Sequence, residues 1–70
     1  MGWGTDDTPG PGHRDEVLFE FTQIGGQMRV AAIDGRTGVE VIIVAPLTAS
    51  RIQMQNVARA KLRRRLEQGA

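Results

Sequence analysis

The sequence predicts an α+β domain: a three-stranded antiparallel β-meander packed on one face by a C-terminal α-helix, in the order β-β-β-α. Three short segments rich in β-branched and aromatic residues predict the strands. Glycines between these segments predict tight turns. Apolar residues at helical spacing in the last third of the chain predict the helix. The 70 residues suffice for one small domain, which we assign to residues 16–68.

The first two strands are predicted to form a hairpin. Residues 16–24, EVLFEFTQI, make the first strand, and residues 27–33, QMRVAAI, make the second. Gly25 and Gly26 connect them, and such a two-residue connection favours a type I′ turn. Both central residues of that turn need positive φ, which glycine adopts at the least steric cost.

The third strand is predicted over residues 39–45 and ends before Pro46, which cannot donate to a ladder. The preceding segment, DGRTG from Asp34 to Gly38, suits either a phosphate-binding loop or a turn. A phosphate-binding loop needs a helix directly after the glycines, and here a strand follows. We therefore interpret the segment as a turn, in which Asp34 accepts hydrogen bonds from loop amides and Gly38 supplies a left-handed residue.

The two turns, taken independently, predict one shared apolar face of the sheet. The glycine turn places Phe21 opposite Val30, and the second loop places Val30 opposite Ile43. A slip of one residue in either turn breaks this face. The predicted face consists of Val17, Phe19, Phe21, Met28, Val30, Ala32, Val39, Val41 and Ile43.

The helix is predicted to run from about Ala49 to Glu67, with Thr48 or Ser50 as the N-cap. Its apolar stripe is expected to pack on the shared face of the sheet, since this is the one large apolar surface near it. Ile52 lies near one edge of the stripe. The stripe itself consists of Met54, Val57, Ala58, Leu62 and Leu66.

Residues 1–15 are predicted to be a disordered N-terminal tail, because four glycines and two prolines accompany few apolar residues. Trp3 in this tail is either incidental or docks on the domain or on a partner. His13 is expected to be an exposed histidine. The chain shows no signal-peptide pattern and no apolar run near the roughly 20 residues of a membrane span. We therefore expect a cytoplasmic protein.

The second face of the sheet is predicted to be uncovered, because one helix covers one face. Monomers seldom expose a contiguous aliphatic patch of several hundred Å². We predict that this face is a protein interface, most simply in a homodimer, with Glu20 and Arg29 able to pair at its rim. A cover formed by residues 1–15, or a patch left in water, are the alternatives. The interface residues are Leu18, Ala31, Ile33, Ile42 and Val44.

Charge is segregated along the chain. Residues 1–45 carry three arginines and seven acidic residues, whereas residues 46–70 carry six basic residues and one glutamate. Weak, mostly sequence-independent binding of nucleic acid or another polyanion is therefore the alternative function, and a solvated basic helix end is the simpler interpretation. Glu20 and Glu40 on the second face argue against base reading by the sheet. The candidate polyanion-binding residues are Arg59, Lys61, Arg63, Arg64 and Arg65.

Catalysis is poorly supplied by this sequence. The chain has no cysteine, one histidine and no residues at metal-ligand spacing. The paired acids Asp6-Asp7 and Asp15-Glu16 lie in or beside the predicted tail, without the rigid support that acid–base catalysis needs. We therefore expect no enzyme, and no cofactor, metal, membrane or small-molecule partner.

Several turn and core features together carry a family resemblance. They are an acidic start to the first strand, a glycine turn, AID before a loop that ends in Thr-Gly, a third strand ending at proline, and a basic helix. In this sequence these are Glu16, Gly25-Gly26, Ala32 to Asp34, Thr37-Gly38, Pro46 and Arg59 to Arg65. Over residues 16–67 the chain resembles a family of short alphaproteobacterial proteins of unknown function. The resemblance implies a small bacterial cytosolic protein and no established activity.

Overall fold

The computed structural model describes residues 16–69. The chain forms three strands and one helix, namely β1 (Val17–Ile24), β2 (Gln27–Asp34), β3 (Glu40–Pro46) and α1 (Arg51–Glu67). The strands lie in the order β1-β2-β3, and both neighbouring pairs are antiparallel. The predicted β-β-β-α fold is therefore confirmed. The predicted tail, with Trp3 and His13, lies outside the described residues.

The strand registers agree with those predicted from the turns. Phe21 lies opposite Val30 in the β1–β2 pair, and Val30 lies opposite Ile43 in the β2–β3 pair. The agreement follows from the alternation of side chains along a strand, because a slip of one residue in either turn would separate Phe21, Val30 and Ile43 onto opposite faces.

The turn between β1 and β2 differs from the predicted type. Gly25 has φ 59°, but Gly26 is not among the glycines with positive φ. Positive φ at the first central residue alone is the pattern of a type II′ turn, so the prediction of type I′ was wrong. Both types match the right-handed twist of a hairpin, and a Gly-Gly pair permits either.

The connection between β2 and β3 is a hydrogen-bonded turn built on Asp34. Asp34 is 7% exposed, and its carboxylate Oδ2 accepts from the Thr37 amide at 2.9 Å and the Thr37 hydroxyl at 2.7 Å. The amide of Gly38, which has φ 78°, donates to the Asp34 carbonyl at 2.8 Å. The Thr37 hydroxyl is the main cause that lowers the pKa of Asp34, while burial opposes the shift. The amides of Thr37 and Gly38 therefore donate to Asp34 within the turn, as the interpretation of this segment as a turn requires.

The core lies between α1 and one face of the sheet, and α1 packs against β2 and β3. All nine residues of the predicted face contribute to it, as buried residues or packed around its border. Val57, which was predicted in the apolar stripe of the helix, and Ile52, near its edge, do not contribute to the core, since they are 56% and 68% exposed. The helix instead directs residues four positions apart to the sheet. Its buried residues are Met54, Ala58 and Leu62.

The first turn of α1 is closed by a capping box. The Ser50 hydroxyl accepts from the Gln53 amide at 3.0 Å, and the Gln53 side chain accepts from the Ser50 amide at 2.9 Å. Ser50 rather than Thr48 is thus the N-cap. This cap fixes where the helix starts after β3.

Candidate protein-interaction surface

The sheet face turned away from α1, here called the open face, is the candidate functional site. No second layer covers it within residues 16–69, because the core and α1 lie on the other side. Side chains alternate along each strand, so the register determines its membership. It consists of Leu18, Glu20, Thr22, Ile24, Gln27, Arg29, Ala31, Ile33, Glu40, Ile42, Val44 and Pro46.

The five predicted interface residues form a contiguous aliphatic band that crosses the open face diagonally. Leu18 lies opposite Ile33, and Ala31 lies opposite Ile42. Val44 follows two residues after Ile42 on β3. The structure thus brings all five side chains to one surface.

Their exposure is uneven. Val44 is 58% exposed, Leu18, Ile33 and Ile42 are half-buried, and Ala31 is only 6% exposed. Ala31 is small and lies on the central strand, so its larger neighbours shield it. It therefore forms a shallow floor in the band and offers little contact area. Ile24, on the same face but outside the predicted set, is 57% exposed.

Charged side chains of both signs border the aliphatic band. Glu20 lies directly opposite Ala31, and Arg29 lies two residues before Ala31 on β2. These two side chains form no ion pair with each other, although the sequence suggested one. Glu40 is exposed and occupies a corner of the face at the start of β3. A surface that carries both signs of charge can pair with a second copy of itself, because opposite charges of the two copies can face each other.

The outer edge of β3 is covered by a lysine from the helix. Lys61 Nζ donates to the Ile42 carbonyl oxygen at 2.7 Å. Alternate residues of an edge strand turn their backbone groups away from the sheet, and such groups can pair with another chain. Lysine at an edge opposes that pairing, because a new strand must displace a charged donor.

Two arginines of the helix lie over β1, the edge strand on the opposite side of the sheet from β3. The guanidinium carbon of Arg51 lies 4.4 Å from the ring centroid of Phe21, and that of Arg59 lies 5.2 Å from the ring centroid of Phe19. Both phenylalanines belong to β1, the second edge strand. These distances are those of cation–π contacts. Three basic residues of α1, namely Arg51, Arg59 and Lys61, therefore have structural partners at the two edge strands.

The predicted polyanion-binding residues do not form one patch. Arg59 contacts β1 and Lys61 contacts β3, which lie at opposite edges of the sheet. Arg64 and Arg65 join Lys61 along a groove between α1 and β3. Arg63 is exposed. The sequence did not predict the contacts of Arg59 and Lys61 with the edge strands, because it shows where the charged residues lie along the chain but not which residues they contact.

Among residues 16–69, no group of three or more His, Cys, Asp or Glu side chains could hold a metal ion. The Asp34 carboxylate is occupied by its own loop. In the same part of the chain, no helix is long and apolar enough to cross a membrane.

The fold and surface together define a small α+β domain in which a helix covers one face of the sheet and residues 16–69 leave the other face uncovered. A family model for a domain of unknown function, DUF6898, matches residues 14–69. The chain belongs to this family, which agrees with the predicted resemblance to a family of unknown function. Neither the curated proteins nor the solved structures contain a match to this chain.

Proposed function

We propose that this protein is a small non-catalytic interaction module that self-associates through the open face. The observation that carries the proposal is the aliphatic band, ending in Val44 at 58% exposure, on a face that residues 16–69 leave uncovered. Aliphatic side chains that lie together on such a face favour association, because pairing removes their remaining apolar surface from water. A cytoplasmic location and an alphaproteobacterial origin belong to the same proposal.

The size of the open face sets the expected strength of association. Three strands about 4.8 Å apart, each rising about 3.3 Å per residue over some eight residues, give a face of roughly 350 Å² per copy. Two such faces bury roughly 700 Å², which is below the range of tight complexes. We therefore expect a dissociation constant in the range of about 1 to 100 μM, and a test must reach such concentrations.

Sedimentation equilibrium of the wild-type protein and the variant Val44→Asp tests the proposal. Val44 is largely exposed, so an aspartate there is solvated in the monomer but is desolvated on a paired face. We expect a wild-type dimer that persists at high salt and a monomeric variant. Ile52→Asp is the matched control, because Ile52 is 68% exposed on α1, away from the open face. It is expected to leave the dimer intact.

Two results would contradict the proposal. One is a wild-type protein that stays monomeric at about 100 μM at both salt concentrations. The other is a Val44→Asp dimer as stable as the Ile52→Asp dimer. Far-UV circular dichroism of both variants shows that they are folded, so that loss of association is not confused with loss of structure.

Polyanion binding is the second candidate, supported by the groove that Lys61, Arg64 and Arg65 share beside β3. Arg59 at the other edge of the sheet does not belong to this groove. Fluorescence anisotropy with a labelled DNA duplex at two salt concentrations tests it. Phosphate contacts predict affinity that falls steeply with salt and is lost in Arg64→Glu. No binding at low salt would remove this candidate.

A further inference from the structure

We infer that two copies pack open face to open face about a two-fold axis passing close to Ala31 and Ile42, with Glu20 of each copy paired to Arg29 of the other. This inference rests on the proposed self-association and specifies its geometry. The result is a four-layer arrangement of helix, sheet, sheet and helix. Each basic helix then lies on the outside, away from the other.

The position of the axis follows from the register. Glu20 lies directly opposite Ala31 on the neighbouring strand, and Arg29 lies two residues from Ala31 on the same strand. Ala31 is thus roughly 5 Å from Glu20 and roughly 7 Å from Arg29 between Cα atoms, and it lies within about 2 Å of the line that is equidistant from the two. A two-fold axis that exchanges Glu20 with Arg29 must pass midway between them, and therefore close to Ala31. Ile42, paired with Ala31 from the other side, lies near the same line.

The sizes of the side chains suit this axis. Ala31 is 6% exposed and forms the low floor of the aliphatic band, so two sheets can approach closely at this point. Ile42 is half-buried in the single chain, and its remaining surface meets the Ile42 of the second copy. The axis therefore runs through the apolar part of the face, where contact with an identical surface is favourable.

The charges favour a second copy over a strongly charged partner. Glu20 and Arg29 are exposed, and they form no ion pair with each other within one chain. Exchange about the axis gives each of them an opposite charge across the interface, twice per dimer. Glu40, at the far corner, stays at the rim in water. A purely acidic partner could pair only with Arg29, and a purely basic partner only with Glu20.

The edges of the sheet point to the same arrangement. Pairing along β3 requires an incoming strand to displace Lys61 from the Ile42 carbonyl. Pairing along β1 brings two copies of Arg51 and Arg59 towards one another, since they lie over the rings of that strand. Pairing of the open faces disturbs neither group of contacts.

A charge-exchange cycle tests the inference. The variants are Glu20→Arg, Arg29→Glu and the double variant, each examined by sedimentation equilibrium. Each single variant places like charges across the interface, so its dissociation constant is expected to rise at least about tenfold. The double variant restores both opposite-charge pairs, and its dissociation constant is expected to return to within about threefold of wild type. Circular dichroism verifies folding.

The outcomes separate this inference from the proposed function. If Val44→Asp abolishes the dimer while both single charge variants leave it unchanged, self-association stands and the Glu20–Arg29 pairing is wrong. Single variants that weaken the dimer without recovery in the double variant likewise overturn the pairing. A wild-type monomer removes the proposed function and this inference with it.

A cross-linking experiment tests the axis separately. The chain contains no cysteine, so each introduced thiol is unique. Ile42→Cys lies next to its own copy across the axis and is expected to form a covalent dimer rapidly with a short bis-maleimide reagent. Gln27→Cys, on the same face but two residues beyond Arg29, is the control and is expected to react slowly. Equal rates for the two variants would overturn the position of the axis.

Discussion

Replacing Thr37 with valine is expected to destabilise the protein through the turn between β2 and β3. Valine has nearly the same shape as threonine, so the change removes one hydroxyl and little packing. That hydroxyl donates to Asp34 Oδ2 at 2.7 Å and accepts from the Val39 amide at 3.2 Å. The variant therefore leaves the carboxylate of Asp34, a residue that is 7% exposed, with one hydrogen-bond donor fewer.

The magnitude follows from the charged acceptor. A hydrogen bond to an ionised group contributes about 1.5–3 kcal/mol. The lower end of this range applies, because Thr37 is exposed and the backbone amide of residue 37, which donates to the same oxygen at 2.9 Å, is kept in the variant. The Val39 amide can turn to water. We expect the free energy of unfolding at neutral pH to fall by about 1.5 kcal/mol.

The effect should depend on pH in a definite direction. The Thr37 hydroxyl is the largest cause of the lowered pKa of Asp34 in the folded protein. A carboxylate with a lowered folded pKa stabilises the fold fully above its unfolded pKa, near 3.9, and loses this contribution as the pH falls through the folded value. The difference between Thr37→Val and wild type is therefore expected to shrink in acid.

Urea unfolding followed by circular dichroism, at pH 7 and at about pH 2.5, measures both effects. Thr48→Val is the matched control, because Thr48 is an exposed threonine in the turn after β3, without a side-chain hydrogen bond to residues 16–69. The reasoning would be refuted by equal losses at both pH values. A loss at pH 7 no larger than that of the control would refute it as well.

Two further substitutions test the turn and the core by the same unfolding measurement. Gly38→Ala is expected to cost about 1 kcal/mol, since φ is +78° and open space around the glycine leaves backbone strain as the cause. Gly26→Ala, without positive φ, is its control, and an equal loss there would contradict the explanation. Leu62→Ala, at a side chain 1% exposed, is expected to cost about 3 kcal/mol. Leu47→Ala, at 46% exposure, should cost far less, and similar losses would contradict the core assignment.

The fold was predictable because local and long-range signals agree. Glycine turns set the strand registers, and strand alternation then placed Phe21, Val30 and Ile43 on one face. The pattern of apolar residues also indicated the helix. The aliphatic band of the open face was predictable as well, since a single helix covers one face of the sheet and leaves the other without a cover.

Other features depend on three-dimensional contacts that the sequence does not encode locally. The exposure of Val57 reflects the rotation of α1, which sheet packing determines. The sequence could not assign Lys61 to the Ile42 carbonyl or Arg59 to the Phe19 ring, because these partners lie far apart along the chain. Ile24 was assigned to the correct face, but its exposure was not predictable from the strand pattern.

The contacts that cover the sheet edges also bear on how the protein is made. Because α1 follows all three strands in the chain, the ribosome synthesises the sheet before the residues that shield it. Without α1, the core face of the sheet has no cover, and the contacts of Lys61 and Arg59 at the two sheet edges are missing. A chain truncated before α1 would therefore expose apolar surface and strand edges, which makes it suited to chaperone binding or aggregation.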